Sequence, residues 1–354
     1  MEMFDVAATL IKMAVILGLC LGSVPFLGWF ERRGSAWMQG RVGPNRVGPF
    51  GLLQMFADAV KFIFKENFIP QNANKFLYML APIMGLVAPM IALIAIPYGG
   101  DIFWGDKIIP LRIAHMDAGI VFVLAFAGLE IYPIILAGMS SNNKYSALGA
   151  IRGTAQVLSY EIPMGLALLS MLAVYGTLNF DQMVVAQQSI WGIFLNPIGA
   201  FIVFVCMFAE TNRLPFDLAE GEAELVAGFH LEYGGIKFAL FPMAEYVAMI
   251  MVSALFSTIF LGGYNLLPGM GLLHGFLADI LGFSSTAKLN LFALFQFGSL
   301  LIRVGVLMFI FVWVRWTFPR FRFDQLMDLG WKILFPLALA NLVITMFVMY
   351  WLRG

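Results

Sequence analysis

Charged residues are scarce in this 354-residue chain. Only 12% of the residues are Asp, Glu, Lys or Arg, and 61% are hydrophobic, whereas about a quarter of a soluble domain is charged. This composition excludes an ordinary soluble domain and favours a membrane environment. Because one membrane span with its connection takes roughly 30 to 45 residues, a single integral membrane domain covering residues 1–354 accounts for the whole length.

The chain also lacks a surplus of charge of either sign and has almost no cysteine. Lys plus Arg and Asp plus Glu each number 21, so the basic excess that nucleic-acid binding requires is missing. Cys20 and Cys206 lie far apart in apolar segments, which predicts buried small hydrophobes rather than a disulfide. The three histidines are scattered, and no glycine-rich nucleotide fingerprint occurs. We therefore expect no metal, nucleotide or iron–sulfur cluster in this chain, and electrons would have to come from a partner.

Long apolar runs are what the sequence does contain. About eight of them can cross roughly 30 Å of hydrocarbon at a rise of about 1.5 Å per residue. They cover residues 8–30, 76–98, 117–140, 153–175, 191–209, 236–262, 290–314 and 331–351. The first has the length of a full span rather than of a signal peptide, so we expect it to be retained. The pattern predicts an all-α fold, a polytopic membrane helix bundle of about eight transmembrane helices.

Basic residues concentrate in alternate connections. The positive-inside rule places these connections in the cytoplasm and both termini on the outer side, which agrees with an even number of spans. The basic residues of that side are Arg32, Arg33, Arg41, Arg46, Lys61, Lys65, Lys75, Lys144, Arg152, Arg213, Lys237, Arg315, Arg320, Arg322 and Lys332.

The segment 50–66 is apolar except for one polar stripe, so it predicts an amphipathic helix that lies in the membrane interface. An ordinary connector packed on the bundle is the alternative. The stripe consists of Gln54, Asp58, Lys61 and Lys65.

The segment before this helix, residues 37–51, reads WMQGRVGPNRVGPFG. Its two Gly-Pro pairs cannot continue a helix. The guanidinium groups of Arg41 and Arg46 offer planar donors to a carbonyl, a carboxylate or a lipid phosphate. We interpret the segment as a docking loop for a membrane-soluble ligand or another subunit. Simple anchoring to lipid headgroups is the alternative.

Three predicted spans contain a glutamate, namely Glu130, Glu161 and Glu245. An ionised carboxylate in hydrocarbon costs at least about 2.5 kcal/mol and commonly marks an ion or proton route. Each lies nine or ten residues from the cytoplasmic end of its span, which is roughly 13 to 15 Å at helical rise. The spacing predicts a shared level near the midplane, with Arg303 as a candidate counter-charge. A static buried ion-pair network is the alternative.

An acidic segment at 209–224 follows the fifth predicted span. Apolar residues such as Phe216, Leu218 and Phe229 alternate with the acids or follow them, which predicts a packed segment rather than a solvated loop. Clustered carboxylates with little water raise one another's pKa values and hold protons near neutral pH. The acids are Glu210, Asp217, Glu220, Glu222 and Glu224.

Four blocks of this sequence closely resemble the H-subunit family of respiratory complex I, the proton-pumping NADH:quinone oxidoreductase, whose mitochondrial form is called subunit 1. They are residues 31–66 with GRVGPNRVGPFGLLQ, residues 140–161 with SSNNKYSALGAIRGTAQVLSYE, residues 209–246 with AETNRLPFDLAEGEAELVAGFHLEYGGIKFALFPMAEY, and residues 314–332 with VRWTFPRFRFDQLMDLGWK. Together they cover the long cytoplasmic connections in order.

The resemblance implies a membrane subunit that forms the quinone chamber with the hydrophilic arm and couples quinone reduction to proton translocation. Quinone, the substrate, would enter beside the first span and the amphipathic helix. The chamber or its entrance would contain Trp37, Arg41, Arg46, Asp58, Asp217 and Phe229. A proton path would contain Glu130, Glu161, Glu210, Glu220, Glu222, Glu224 and Glu245.

The partners that the resemblance implies are the hydrophilic-arm subunits with the terminal iron–sulfur cluster, the small membrane-arm subunits, the antiporter-like pump subunits and membrane lipid. The location would be a bacterial inner membrane. Two alternative functions are also consistent with the sequence. The chain could be the quinone-site subunit of a related complex with another electron donor, or a structural membrane anchor.

Overall fold

Helices dominate the computed structural model, which describes residues 3–105, 107–219, 228–280 and 285–353. The α-helices are α1 (Met3–Met38), α2 (Gln54–Phe64), α3 (Lys75–Ala92), α4 (Gly119–Gly128), α5 (Ile131–Ser140), α6 (Lys144–Tyr175), α7 (Phe180–Ala186), α8 (Gly192–Leu195), α9 (Pro197–Glu210), α10 (Gly235–Phe260), α11 (Met270–Ile280), α12 (Ser285–Thr317), α13 (Phe323–Asp328) and α14 (Phe335–Arg353). A hairpin of β1 (Asp101–Trp104) and β2 (Lys107–Pro110) follows α3.

Short segments of other helical types complete the chain. Three 3-10 turns cover Pro49–Gly51, Leu93–Ala95 and Gly228–His230, and a π-helical segment, Leu329–Leu334, joins α13 to α14. We call the face of the bundle at which α1 ends the loop side, and the face at which α1 begins the N-terminal side.

Within the described ranges, seven helical segments are long and apolar enough to cross a membrane. They are α1, α3 with its 3-10 turn, α4 with α5, α6, α10, α12, and α13 with α14. The predicted span at 191–209 is instead a shorter apolar helix, α9, of 14 residues. Its rise of about 21 Å is less than the roughly 30 Å of the hydrocarbon core. A polytopic helix bundle is thus confirmed, with seven long helices and one short one in place of about eight.

The start of α9 has a local cause. Asn196 accepts a hydrogen bond from the amide of Gly199 (2.8 Å), and Pro197 occupies the first helical position. An Asn cap followed by proline is a strong signal for beginning a helix. The side-chain amide of Asn196 also donates to the hydroxyl of Ser170 on α6 (2.7 Å), so the shorter helix is fixed in depth against the long one.

The first helix is longer than the sequence predicted. The hydrophobic run at 8–30 lies within α1, which has 36 residues and therefore extends about 54 Å, well beyond the hydrocarbon core. Glu31 consequently lies inside the helix rather than in a connection, and only 6% of it is exposed.

The predicted span at 117–140 is interrupted at a glutamate. Helix α4 ends at Gly128 and α5 begins at Ile131. Pro133 has no amide hydrogen to donate to the carbonyl of Leu129, and that carbonyl accepts a hydrogen bond from Tyr132 instead (3.2 Å). The resulting turn contains Glu130.

The centre of the bundle is formed by α6 and α10. Helix α6 packs on α5, α9 and α14, whereas α10 packs on α3 and α12. Two tyrosines of α6 bind carbonyl groups of neighbouring segments: Tyr160 donates to Leu326 (2.8 Å) and Tyr175 donates to Ile259 (2.9 Å). The prediction of buried cysteines is confirmed, since Cys20 and Cys206 are free thiols inside the core.

Candidate functional site

Four segments of the chain meet at a buried arginine. Arg213, in the connection after α9, lies with Nη1 3.4 Å from Glu31 of α1 and with Nη2 3.3 Å from Glu245 of α10. The hydroxyl of Tyr246 donates to Glu31 (2.6 Å), and Arg315 of α12 pairs with the same carboxylate. Opposite charges inside a bundle are stable only when paired and hydrogen-bonded in this way. The arrangement links α1, α10 and α12 at the loop side.

Deeper in the bundle, three glutamates share one cavity. Glu130, Glu210 and Glu245 line a space of about 50 Å³ beside Phe229 and Phe241. A cavity of this size with carboxylate groups in its wall has room and partners for water. Oε1 of Glu130 and Oε2 of Glu210 are buried without a hydrogen-bond partner among the described residues, and buried carboxylate oxygens normally bind protein donors or water.

The fourth carboxylate of this group, Glu161, approaches the interrupted helix from α6. A Cβ added to Gly128 would lie 2.7 Å from Oε1 of Glu161, so only glycine allows the carboxylate its present place. Glu210 interacts electrostatically with both Glu161 and Glu130. Of the three glutamates predicted to share a level, Glu130 and Glu245 line one cavity, and Glu161 approaches the residue two positions before Glu130.

Arg303, proposed from its depth as their counter-charge, pairs with none of these glutamates. Its Nη1 donates to the carbonyl groups of Gly263 and Asn265 and to the hydroxyl of Ser299, each at 2.6 Å. The expectation was therefore wrong. The guanidinium instead binds carbonyl groups of the turn that follows α10, where the backbone carbonyl groups have no helical amide partner. Arg213 is the cation that pairs with Glu245.

The acidic connection begins with a buried aspartate. Asp217 is only 8% exposed and pairs with Arg320 at 2.9 Å. Burial raises the pKa of the Asp217 carboxyl to about 6; Arg320 opposes this shift, and the negative charge of Glu245 adds to it. A carboxyl with this pKa exchanges its proton near neutral pH.

Apolar residues hold this connection against the bundle. Phe216, Leu218 and Phe229 are buried, which confirms the predicted packing for these three. A Cβ on Gly149 of α6 would lie 2.8 Å from the backbone of Gly228, so the close approach of the connection to α6 depends on a glycine. The predicted proton-path residues Glu220, Glu222 and Glu224 lie outside the described residues.

The residues predicted for the quinone entrance are spread over the loop side. Asp58 of α2 pairs with Arg32 of α1 at 2.5 Å. Arg41 donates to the side chain of Gln39 (2.6 Å), and Arg46 is exposed. Trp37 is 69% exposed at the end of α1. The structure does not bring Arg41 or Arg46 to Asp58.

An arginine between aromatic rings lies beside this entrance. Nη1 of Arg33 donates to the carbonyl of Phe50 (2.7 Å), which also accepts from Nε1 of Trp29 (3.0 Å). The guanidinium carbon lies 5.3 to 5.9 Å from the ring centres of Trp29, Trp37 and Phe50, within the range of cation–π contacts. These contacts fix the docking loop to the end of α1.

Sequence reasoning missed several contacts in these clusters. Glu31, Arg32 and Arg33 form one charge run, and the positive-inside rule places its two arginines in a connection. Adjacent residues of a helix do not share a face. If the predicted helix is extended beyond residue 30, Glu31 therefore faces inward while the two arginines face outward. The sequence contains no pattern that pairs Arg213, Tyr246 and Arg315 with Glu31. These contacts depend on how the helices pack.

Among the described residues, no group of three or more His, Cys, Asp or Glu side chains is arranged to hold a metal ion. The expectation that the chain binds no metal, nucleotide or cluster stays a prediction.

Comparison with known proteins places the chain in a family. The family described as NADH dehydrogenase matches residues 11–346. The H subunit of NADH-quinone oxidoreductase from Bdellovibrio bacteriovorus is 44% identical, over 99% of this chain and 98% of the relative. The H subunit from Protochlamydia amoebophila is 46% identical over 90% and 91%, and NADH-quinone oxidoreductase subunit 8 of Rhodothermus marinus is 45% identical over 93% and 94%. This multi-pass membrane protein therefore belongs to the H-subunit family of NADH-quinone oxidoreductase, the membrane subunits of complex I.

Proposed function

We propose that this subunit forms one wall of the quinone-binding chamber and passes the effect of quinone reduction to a group of buried glutamates. The observation that carries the proposal is the shared cavity of Glu130, Glu210 and Glu245, together with the Arg213 pairs that connect Glu245 to the loop side. Buried carboxylates at membrane depth are costly and mark proton routes.

The proposed route begins at the buried Asp217, which pairs with Arg320. Asp217 and Glu245 interact electrostatically, so a proton taken up by either carboxyl changes the proton affinity of the other. Glu245 then shares its cavity with Glu130 and Glu210, and water in such a space connects carboxyl groups that do not touch. Glu161 is the next group along this series, through its interaction with Glu210.

Arg213 would set the charge state of this route. It interacts with Glu31 and Glu245 at similar distances, 3.4 and 3.3 Å, whereas Glu31 has Arg315 and Tyr246 as further partners. Protonation of Glu245 would weaken its pair with Arg213 and leave Glu31 as the charged carboxylate of the two. A change in charge at the loop side would thus alter how strongly the Arg213 guanidinium binds Glu31 and how strongly it binds Glu245. The change at Glu245 reaches the cavity that this glutamate lines.

The quinone would bind at the loop side. The glutamate cavity of about 50 Å³ is much smaller than the several hundred Å³ that an organic ligand occupies, so it fits water rather than a quinone ring. The exposed rings of Trp37 and Phe50 with Arg33 offer flat apolar surface and donors for a quinone carbonyl. A second wall must come from another subunit, and we assign it to the hydrophilic arm.

Electrons would reach the quinone from a terminal iron–sulfur cluster held by that arm. The loop side would then face the cytoplasm of a bacterial cell with both termini outside. The small membrane-arm subunits and the antiporter-like subunits would receive the change at the glutamates. Trp37, Arg41, Arg46, Asp58, Asp217 and Phe229 are proposed for the chamber or entrance, and Glu130, Glu161, Glu210, Glu220, Glu222, Glu224 and Glu245 for the proton path.

Photo-crosslinking tests the chamber. An azido-quinone is activated on the purified complex in membranes, with excess short-chain quinone as competitor, and labelled peptides are mapped by mass spectrometry. We expect labelling within residues 37–65 or 216–229 that the competitor removes. Labelling confined to other subunits would contradict the proposal and favour a purely structural membrane anchor.

A further inference from the structure

An apolar cavity lies between α1 and α12, away from the glutamates. It has a volume of about 300 Å³ and is also lined by the end of α3 and by α10. Cys20 and Leu300 belong to its buried floor, whereas Leu19, Leu301 and Gly305 are exposed. The cavity therefore opens between α1 and α12 to the lipid surroundings of the bundle.

A polar cavity of about 270 Å³ adjoins the same helix at the N-terminal side. Lys12 of α1 lines it together with Arg112 and His115, and its ammonium donates to the carbonyl groups of Arg112 (2.8 Å) and Pro110 (3.3 Å). Arg112 is paired with Asp181 (2.7 Å). No carboxylate of the described residues forms an ion pair with Lys12, so its positive charge is not neutralised by the part of the chain that the structure describes.

The two cavities share one face of α1. Lys12 is followed on that face by Ile16, Cys20, Ser23 and Leu27, at steps of three or four residues that keep side chains aligned on a helix. From Ile16 to Leu27 the apolar cavity extends about 16 Å. The cavity is therefore long enough for much of one acyl chain, since one leaflet is about half of the roughly 30 Å hydrocarbon core.

We propose that these cavities form a binding site for one anionic phospholipid of the leaflet on the N-terminal side. Lys12 binds the phosphate, and an acyl chain fills the space between α1 and α12. The charge of Lys12 selects an anionic lipid over a zwitterionic one, and the apolar cavity one turn deeper selects a lipid over a free phosphate ion. The headgroup end of the site lies at the end of α1 opposite to the quinone entrance, so the contact with Lys12 does not depend on the proposed function.

Photo-labelling with defined lipids tests the headgroup. The purified complex is placed in vesicles with phosphatidylglycerol that has a diazirine on one acyl chain, and in a parallel sample with the corresponding phosphatidylcholine. Phosphatidylglycerol should label residues 12–27 and 297–308 more strongly. Lys12→Gln should reduce that labelling by about fivefold, the effect of one lysine near an anionic surface, whereas Lys107→Gln, an exposed lysine of the hairpin outside the cavity, should not.

Two glycine substitutions test the acyl chain. A Cβ at Gly305 or at Gly18 meets no atom within 4 Å, so leucine fits the fold at both positions. Gly305→Leu fills the cavity and should abolish the labelling, whereas Gly18 lies on the opposite face of α1 at the same depth, so Gly18→Leu should leave it unchanged. Equal labelling by the two lipids, labelling that survives both Lys12→Gln and Gly305→Leu, or a crosslink of the cavity to another subunit would overturn the site.

Discussion

Arg213 joins two glutamates from different helices, with Nη2 3.3 Å from Glu245 and Nη1 3.4 Å from Glu31. The two carboxylates differ in what else holds them. Glu31 also binds Arg315 and Tyr246, whereas Glu245 faces the cavity that it shares with Glu130. A change in charge at Glu245 is therefore the one that most directly shifts Arg213.

Replacement of Arg213 should destabilise the complex chiefly through Glu245. Arg213→Gln breaks a buried ion pair, which costs about 3 to 5 kcal/mol because a buried carboxylate loses an opposite charge. Adding Glu245→Gln removes that charge, so the double variant should be more stable than Arg213→Gln alone. The apparent thermal midpoint of the purified complex measures this, with exposed Arg322→Gln as the control. Additive losses in the double variant would show that Arg213 and Glu245 are not coupled.

The close approach of Glu161 to Gly128 gives a second prediction. In Gly128→Ala the new Cβ would lie 2.7 Å from Oε1 of Glu161, which is the mobile end of a side chain, so the fold should survive and the carboxylate should move. We expect normal assembly with reduced quinone reductase turnover. Gly165→Ala on α6, where a Cβ meets nothing within 4 Å, is the matched control. Full turnover in Gly128→Ala would show that the position of Glu161 is unimportant.

The raised pKa of Asp217 predicts a pH dependence of stability. Burial raises this pKa from its ordinary 3.8 to about 6, so between these values the folded chain keeps a proton that the unfolded chain has lost. The contribution of Asp217 to stability therefore falls as the pH rises from about 4 to 6 and is constant above that range.

The variant Asp217→Asn removes this titration. Relative to wild type, its thermal midpoint should rise as the pH is raised from 4.5 to 6 and then level off. Asp324→Asn, at an exposed aspartate that pairs with Arg322, is the control for the loss of a carboxylate. A constant difference for Asp217→Asn would exclude a raised pKa at this carboxyl.

The contacts of Arg33 predict a variant with a binding defect. Arg33→Gln loses the hydrogen bond to the carbonyl of Phe50 and the cation–π contacts with Trp37 and Phe50. The docking loop should then no longer be fixed to the end of α1, whereas the buried glutamates should keep their positions. We expect a several-fold higher KM for quinone with little change in kcat. Steady-state kinetics with a water-soluble quinone measure both constants. A fall in kcat at unchanged KM would place Arg33 in the chemistry rather than at the entrance.

Hydropathy and helical rise predicted much of this architecture. Counting residues along the spans predicts a similar depth for Glu130 and Glu245 without knowledge of packing, and these two line one cavity; the shared level of all three glutamates stays a prediction. The helical segment with Asp58 likewise follows from its polar stripe. Boundaries were less accurate, since α1 continues eight residues past the predicted end because charged side chains can extend a helix beyond the hydrocarbon.

The partners of the charges were not predictable in the same way. Arg303 has a suitable depth, yet its guanidinium binds the carbonyl groups of the turn after α10. Arg213 comes from a connection and reaches Glu245 only because that connection packs on the bundle. Depth is a property of one helix, whereas a pair depends on the rotation of two segments about their axes, which a single sequence does not encode locally.

If the buried glutamates couple quinone reduction to proton translocation, as proposed, variants that lack one of these carboxyl groups should lose that coupling. Glu161→Gln and Glu245→Gln are introduced into the assembled enzyme, and quinone reductase turnover and proton translocation are measured together in sealed vesicles. Both variants remove a charge at nearly constant size. We predict normal assembly with a clear loss of coupled turnover in each variant. Wild-type turnover and wild-type proton translocation in both variants would contradict the account.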